Sequence, residues 1–267
     1  MKLTIMMVTY RRVMMTLDNI DSYILARQHA LDRIDGLEID FHLWAANKNE
    51  YDNYVEIYKD IDWITVSHVP NYATKAPILV EEFVTRLDSD LVHLTWDDHT
   101  PAKNVLTLGV RDMVEHFPKF DGVVGMMIVN HPPEWGWQTS YGPTQIIGVR
   151  LFKDFRERTG QPILCPEYHQ CCFEVEFTSY MQLLNRVWHC REAHFNHQRH
   201  ELPSKWGIDH SAMESRKLGT MNKDRAVYNV RRKKGYYWGI NFDIVGGWEA
   251  VLPKLKAEEE GDEVGVE

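Results

Sequence analysis

Short apolar runs alternate with longer amphipathic segments over about the first 130 residues. The runs predict buried strands at residues 3–8, 39–46, 63–69, 91–95 and 122–129. The segments between them predict helices at residues 14–28, 54–61, 77–87 and 102–116. Alternation of this kind indicates βαβ units with right-handed crossovers, so we predict an α/β fold with a mainly parallel sheet.

The pattern changes after residue 130. A loop rich in Pro, Gly and aromatic residues has the composition of a lid or substrate wall and contains Trp135 and Trp137. A strand at 146–151 and helices at 152–159, 173–187 and 211–232 are predicted to follow, with a histidine-rich segment at 189–200 and an aromatic segment at 236–242. We therefore predict one domain in two halves, 1–130 and 131–250, and an acidic, disordered tail at 251–267.

Composition narrows the class of protein. With 267 residues the chain can bury a substantial core, and its formal net charge of −9 argues against a general nucleic-acid coating protein. The apolar run at the N-terminus is short, contains Thr4 and ends in two arginines, unlike a secretory signal. No segment is long and apolar enough to span a bilayer, so we expect a soluble, cytoplasmic protein, in the host cytoplasm if it is viral. Oligomeric state leaves no signal in the sequence.

Two adjacent carboxylates follow the strand at 91–95. Asp97 and Asp98 come just past its end, where open α/β sheets bind ligands. Two carboxylates at such a place repel each other unless a cation lies between them, and hard oxygen ligands suit Mg or Mn. The alternative interpretation is that these aspartates cap the helix predicted at 102–116.

Several such segments occur in an order that resembles a known family. Residues 8–12, Val-Thr-Tyr-Arg-Arg, are similar to a Pro-Thr-Tyr-Asn-Arg motif, and residues 94–101, Leu-Thr-Trp-Asp-Asp-His-Thr-Pro, are similar to Leu-Asp-Asp-Asp-x-x-x-Pro. Together with Asn47, Asn71 and Lys75, these motifs resemble the GT-A glycosyltransferases of the family-2-like type, which use nucleotide-activated sugars. The chain departs from the family's pattern at Trp96, which replaces the first Asp, and at Asn47, which replaces an Asp that contacts the base.

The resemblance implies a GT-A, Rossmann-like, mixed but mainly parallel sheet flanked by helices, and a set of site residues. The nucleotide-sugar, with UDP as the expected nucleotide, would contact Thr9, Tyr10, Arg12, Asn47, Asn71, Lys75 and Asp97. A Mn or Mg ion would be held by Asp98 and a later histidine, with His194 placed first and His197 second. Glu174, or Glu176 as second choice, would be the base that takes the proton of the acceptor hydroxyl, which predicts inversion.

Each of these residues also has a simpler interpretation. Glu174 and Glu176 can be solvated helix positions, and His194, His197 and His200 can form the polar face of a helix. Trp135 and Trp137 can belong to the core rather than stack on a sugar. The cluster Cys165, His169, Cys171, Cys172, His189 and Cys190 can hold zinc or can be a set of buried reduced thiols.

The acceptor is expected to be a saccharide or a hydroxymethylated base in viral DNA. Tryptophans such as Trp135 and Trp137 stack on either kind of ligand. The DNA alternative rests on the basic run at 231–234, with Arg231 and Arg232, beside the aromatic residues at 236–238. Two other functions remain open: a metal-dependent hydrolase or nucleotidyl enzyme that uses Asp97, Asp98 and the histidines, and a non-catalytic nucleotide-sugar binding module.

Overall fold

The structure is a computed structural model that describes residues 1–129, 144–197 and 219–233. Its strands are β1 Lys2–Thr9, β2 Glu38–Ala45, β3 Ile64–His68, β4 Leu91–Trp96, β5 His99–Pro101, β6 Val123–Val129, β7 Gln145–Gly148 and β8 Val187–His197. Its helices are α1 Val13–Leu31, α2 Lys48–Tyr58, α3 Tyr72–Arg86, α4 Val105–His116, α5 Val149–Thr159, α6 Phe173–Leu183 and α7 Thr220–Lys233.

The strands form one sheet in the order β3-β2-β1-β4-β7-β6-β8-β5. The first four strands in this order are parallel to one another, and β8 is parallel to β6. The strand β7 is antiparallel to both of its neighbours, and β5 is antiparallel to β8. The predicted α/β class and the mixed, mainly parallel sheet are therefore confirmed.

Helices cover both faces of the sheet, as the apolar strands require. Along β1, Leu3, Ile5 and Met7 pack on one face with residues of α1 and α4, because successive side chains of a strand point to opposite sides. Met6 and Val8 pack on the other face with residues of α3, α5 and α6. The sheet thus separates two cores.

The helix predicted at 102–116 begins later than expected. It starts at Val105 after Asn104, whereas Pro101 belongs to the short strand β5, which pairs with β8. The interpretation of Asp97 and Asp98 as helix caps is therefore wrong. These two residues occupy the tight connection between β4 and β5.

Two other boundaries differ from those predicted. The strand predicted at 146–151 ends at Gly148, where a Cβ atom would lie 1.7 Å from the carbonyl oxygen of Phe120, and α5 follows at once. The helix predicted at 173–187 ends at Leu183. The histidine-rich segment is then a strand, because it pairs along the edge of β6 with a register shift between Met126 and Met127.

Several predicted segments lie outside the described residues. These are most of the aromatic loop after residue 129, the start of the helix predicted at 211–232, the aromatic segment at 236–242 and the acidic tail at 251–267. The division into halves at residue 130 stays a prediction. Among the helices in the described ranges, none combines the length and the apolar character needed to cross a bilayer.

Candidate active site

The candidate site lies where β1 and β4 end side by side. The two strands are parallel, and Val8 pairs with Trp96. The segments that follow, 9–12 and 97–99, therefore leave the sheet at the same edge. This edge brings together five residues predicted from the sequence: Thr9, Tyr10, Arg12, Asp97 and Asp98.

Arg12 links the two aspartates. Its Nη1 donates to Oδ1 of Asp97 at 2.6 Å and to Oδ2 of Asp98 at 3.3 Å. Both aspartates are buried, so the guanidinium compensates charges that water scarcely reaches. The main chain of Arg12 is also fixed, because its N–H donates to Oε1 of the buried Glu50 at 3.0 Å.

The side chain of Asp97 is deeply buried. Burial raises its pKa, and the charge of Asp98 adds to that rise, whereas Arg12 and the Thr9 hydroxyl lower the pKa. The N–H of Tyr10 also donates to its Oδ2 at 3.4 Å. The net direction is upward, so burial and the charge of Asp98 outweigh the opposing effect of Arg12 on the pKa of this carboxyl.

Asn19 supports the site and was missed by the sequence interpretation. Its Nδ2 donates to the main-chain carbonyl of Asp97, and its Oδ1 accepts from the Thr100 hydroxyl at 2.5 Å. The side chain is fully buried on α1. It therefore ties the connection between β4 and β5 to that helix. A polar residue beside the apolar positions of α1 is the only signal of this role in the sequence.

Asp98, His99 and His197 form a group that could hold a metal ion. Their ligand atoms lie within 4.8 Å of one another. Oδ1 of Asp98 contacts Nδ1 of His99, and Oδ2 of Asp98 is 3.8 Å from Nε2 of His197. Because β5 pairs with β8 through His99 and His197, the two imidazoles stack with centroids 4.6 Å apart. One carboxylate and two imidazoles are ligands that transition-metal ions such as Mn²⁺ accept.

The structure places His197, and not His194, beside Asp98. The two histidines are three residues apart on β8, so their side chains point to opposite faces of the strand. His197 lies on the same face as the buried Phe195, whereas His194 is exposed on the other. His99, which the sequence interpretation did not include, takes the second imidazole position.

The other predicted donor residues follow β2 and β3 at the same sheet edge. Oδ1 of Asn47 caps α2 by accepting from the N–H groups of Asn49 and Glu50 at 2.9 and 3.4 Å. Asn71 precedes α3, and Lys75 has a non-helical backbone one turn later, ahead of Pro77. Asn71 and Lys75 are exposed. All three residues are therefore positioned at the edge that carries Asp97 and Asp98.

Glu174 lies in the first turn of α6 and lines a cavity of about 20 Å³ together with Tyr72 and Trp96. The residue is half-buried, but its Oε2 is fully buried and has no hydrogen-bond partner among the described residues. Burial raises the pKa of Glu174 to about 7, against backbone hydrogen bonds at Cys172 and Glu174, and the charge of Asp224 contributes to the rise. A carboxyl of this kind can exchange a proton near neutral pH.

Glu176 has a different environment from Glu174. Its Oε1 and Oε2 accept from Nη2 and Nε of Arg231 at 2.7 and 2.9 Å, and its Oε2 also accepts from the Tyr168 hydroxyl at 2.5 Å. Both Glu176 and Arg231 are largely buried. The pair therefore joins α6 to α7, and this contact engages the Arg231 guanidinium that the sequence interpretation assigned to the acceptor.

Other predicted residues are placed only in part. Trp135 and Trp137 lie outside the described residues, as does the side chain of Arg232. All four cysteines are free thiols. Cys190 packs in the core on one face of the sheet and Cys165 in the core on the other face. The sequence cluster of cysteines and histidines therefore does not come together as one zinc site.

These features define the class of fold. A sheet of this order, with carboxylates at the end of β4 and a carboxyl at the start of α6, has the GT-A glycosyltransferase fold, as the sequence resemblance predicted. No protein-family model and no curated protein matches the sequence.

Solved structures of S. aureus TarS share this fold. The structure of TarS 1–349 matches with a TM-score of 0.55 at 15% identity, covering 74% of this chain and 60% of that chain. A second TarS structure matches at 15% identity with a TM-score of 0.54, covering 93% of this chain and 46% of that chain. TarS 1–349 in complex with UDP-GlcNAc matches at 14% identity with a TM-score of 0.54, covering 93% and 77%. Identities this low establish the likeness of the fold alone.

Proposed function

We propose that the chain is a metal-dependent glycosyltransferase that moves a sugar from a UDP-sugar to an acceptor hydroxyl, with inversion at the anomeric carbon. One observation carries the proposal. Glu174, a carboxyl with a pKa of about 7, shares a cavity with Trp96, the residue immediately before Asp97 and Asp98. Because Trp96 is the link between this cavity and the two aspartates, we infer that the candidate base and the candidate diphosphate site serve one substrate.

The donor is proposed from the chemistry of the sheet edge. TarS structures were solved in complex with UDP and with UDP-GlcNAc. In this chain Thr9, Tyr10, Asn47, Asn71 and Lys75 follow the strand ends at the edge that carries Asp97 and Asp98. Because Oδ1 of Asn47 already caps α2, its Nδ2 is the group that would donate to a base carbonyl such as those of uracil. Asn47 would therefore contact the base as a hydrogen-bond donor, whereas the Asp that the family uses can only accept.

The residues present fit a divalent cation. Asp98, His99 and His197 would hold it, and the cation would supply Lewis-acid stabilisation of the diphosphate as negative charge develops there. The two imidazoles favour Mn²⁺ over Mg²⁺, which prefers oxygen ligands. Arg12 lowers the pKa of Asp97 and so favours the carboxylate form, which would bind the donor ribose or the cation.

The transfer itself requires a proton acceptor on the face of the sugar opposite the diphosphate. The carboxylate of Glu174 takes the proton of the acceptor hydroxyl as the hydroxyl oxygen bonds to the anomeric carbon. The bond from that carbon to the UDP oxygen breaks, and UDP leaves with the electron pair. A single displacement of this kind inverts the anomeric centre. With its pKa near neutral, Glu174 is ionised in a large fraction of molecules and still accepts a proton readily.

For the acceptor we propose a saccharide in preference to hydroxymethylated DNA. The DNA alternative needs a free basic surface at 231–234, and Arg231 instead forms a buried pair with Glu176. The transferred sugar can be a hexose or a pentose, and the cytoplasmic location stays a prediction from the sequence.

The test is a donor screen by mass spectrometry with the wild type and with Asp98→Asn and Glu174→Gln, in Mn²⁺ or in chelator, with glycan or DNA acceptors. We expect transfer from a UDP-sugar in Mn²⁺, loss of transfer in Asp98→Asn, and a decrease of about a hundredfold or more in Glu174→Gln with UDP binding retained. Equal sugar release with and without acceptor would identify a hydrolase instead. Donor binding with no turnover on any acceptor would favour a binding module.

A further inference from the structure

A single buried carboxylate anchors the segment that leads into α6. Oδ1 of Asp224 accepts from the main-chain N–H of His169 at 2.9 Å and from its Nδ1 at 3.0 Å. Oδ2 accepts from the N–H groups of Gln170 and Cys171, both at 2.8 Å. Three consecutive N–H groups thus converge on one side chain, which is fully buried. Such a concave set of N–H groups is an anion site that here is filled by the protein's own carboxylate.

The same segment is held from its other side by α3. The carbonyl of His169 accepts from the N–H of Ala76 at 2.9 Å, directly after the non-helical backbone of Lys75. Cys172 then adopts a left-handed backbone with φ of +72°, and α6 begins at the next residue. Glu174 therefore lies three residues beyond the last N–H that Asp224 binds, with no flexible linker between them.

A second contact from α7 fixes the following turn of α6. Arg231 is seven residues after Asp224, which is about two helical turns, so both side chains project from one face of α7. Arg231 binds Glu176 through two hydrogen bonds. The first turn of α6 is therefore held on both sides of Glu174, by Asp224 before it and by Arg231 after it.

The charge of Asp224 also reaches Glu174. Among the described residues, Tyr72 of α3, the Cys171 thiol and Asp224 of α7 interact electrostatically with the Glu174 carboxyl. Of these, Asp224 is the one that is ionised at neutral pH. Burial alone would raise the pKa of Asp224, but the N–H groups of Cys171, Gln170 and His169 outweigh burial and hold the pKa below its ordinary value.

We propose that Asp224 is a positioning residue for the transfer reaction. It fixes the first turn of α6 so that the Glu174 carboxyl stays in the cavity beside Trp96, and its negative charge acts on that carboxyl. The inference rests on the proposed role of Glu174 as the base. Helix α7 is then part of the catalytic apparatus, although none of its described residues lines the cavity.

Two substitutions change charge and position to different extents. Asp224→Asn removes the charge and keeps one of the two accepting oxygens, because the amide NH2 group cannot accept. Asp224→Glu keeps the charge and displaces it by one methylene. Lys223→Gln is the matched control, because Lys223 is the exposed neighbour on the same helix. Each variant is assayed for kcat, for KM of the UDP-sugar, for UDP binding by calorimetry and for the pH dependence of kcat.

For Asp224→Asn we expect the acid limb of the kcat profile to move to lower pH, because the base loses a neighbouring negative charge. For Asp224→Glu we expect kcat to decrease about tenfold or more with the acid limb unmoved, because the base is displaced. UDP binding should stay within about threefold of the wild type in both variants, and Lys223→Gln should match the wild type. If both Asp224 variants keep the wild-type kcat and pH profile, the proposal is overturned. If Asp224→Asn does not fold, wild-type turnover in Asp224→Glu is enough to overturn it.

A direct titration distinguishes this inference from the proposed function. The ¹³C NMR signal of the Glu174 carboxyl, assigned with Glu174→Gln, is followed against pH without substrate in the wild type and in Asp224→Asn. A lower midpoint in Asp224→Asn supports the coupling between Asp224 and Glu174. If Glu174→Gln leaves transfer intact, the role of Glu174 as the base is refuted, but the coupling is not. An unchanged midpoint contradicts the coupling whatever the activity.

Discussion

The imidazoles of His99 and His197 stack with their planes 12° apart and their centroids separated by 4.6 Å, across the pairing of β5 with β8. This contact brings a residue from the turn after β4 against one that is almost a hundred positions later in the chain. Asp98 contacts both rings. The stack therefore joins two distant segments of the chain at the point where a cation would bind.

We predict that His197→Ala weakens Mn²⁺ binding at least about tenfold, whereas His194→Ala leaves it unchanged. A change in the outer surroundings of a metal site already costs 10–100-fold in affinity, so the loss of a ligand should cost no less. The measurement is a titration with Mn²⁺ followed by electron paramagnetic resonance. The reverse order of the two variants would restore His194 as the ligand.

Arg12 leads to a second prediction. Replacing Arg12 by Met leaves Asp97 and Asp98 buried beside each other without their shared cation. We expect the free energy of unfolding to fall by about 3–5 kcal/mol in chelator, as for other buried charges that lose a partner.

Saturating Mn²⁺ should restore a large part of this stability in Arg12→Met and have a smaller effect on the wild type, because the ion replaces the missing positive charge. Urea unfolding with and without Mn²⁺ measures both quantities. A loss of stability that Mn²⁺ does not change would mean that Arg12 acts on the fold rather than on the charge of the site.

The sequence predicted the elements that depend on local pattern. The strands β1, β2 and β4 are buried on both faces. Each is therefore visible in the sequence as a mostly apolar run, without knowledge of its neighbours. The polar residues directly after them, including Asp97 and Asp98, then follow at the sheet edge by topology alone. The proposed donor-binding residues could therefore be selected from the sequence alone, because they directly follow these strands.

The remaining site residues depend on contacts between distant segments. His197 was ranked below His194 because no local signal shows that the segment is a strand, or which of its faces meets β5. The pairing of Glu176 with Arg231 spans 55 residues and was equally hidden. Asn19 was missed because its partners lie on a connection 78 and 81 residues away.

A third prediction concerns stability and pH. Glu174 titrates near pH 7 in the folded protein, against an ordinary value of 4.5. Between these two pH values the folded state holds a proton that the unfolded state has lost, so the wild type becomes less stable as pH rises through this window. Glu174→Gln removes this loss. The variant should therefore gain stability relative to the wild type from about pH 4.5 to 7, by at most about 3 kcal/mol.

Glu81 provides a matched control for Glu174. It is also buried, and burial raises its pKa to about 7 against the N–H groups of Leu164 and Ile163. Urea unfolding should show the same pH window for Glu81→Gln, whereas transfer should be lost only in Glu174→Gln. A stability difference between Glu174→Gln and the wild type that is independent of pH would contradict the assigned protonation of Glu174.

The last prediction concerns Arg231 and the acceptor. If Arg231 serves to hold α6, then Arg231→Gln should lower the free energy of unfolding by about 3–5 kcal/mol, because the largely buried Glu176 carboxylate loses its cation. Glu176→Gln should cost less, because Arg231 keeps an ion pair with Glu167 at 3.7 Å. The double variant should lose less stability than the sum of the two single variants, because Arg231 and Glu176 are then both absent.

If Arg231 instead binds DNA phosphate, Arg231→Gln should reduce the slope of log affinity against log salt by about one, with little loss of stability. Urea unfolding and DNA binding at several salt concentrations, on the same four proteins, decide between these outcomes. We expect a strong coupling of Arg231 with Glu176 and an unchanged salt slope, which would direct the search for an acceptor toward saccharides.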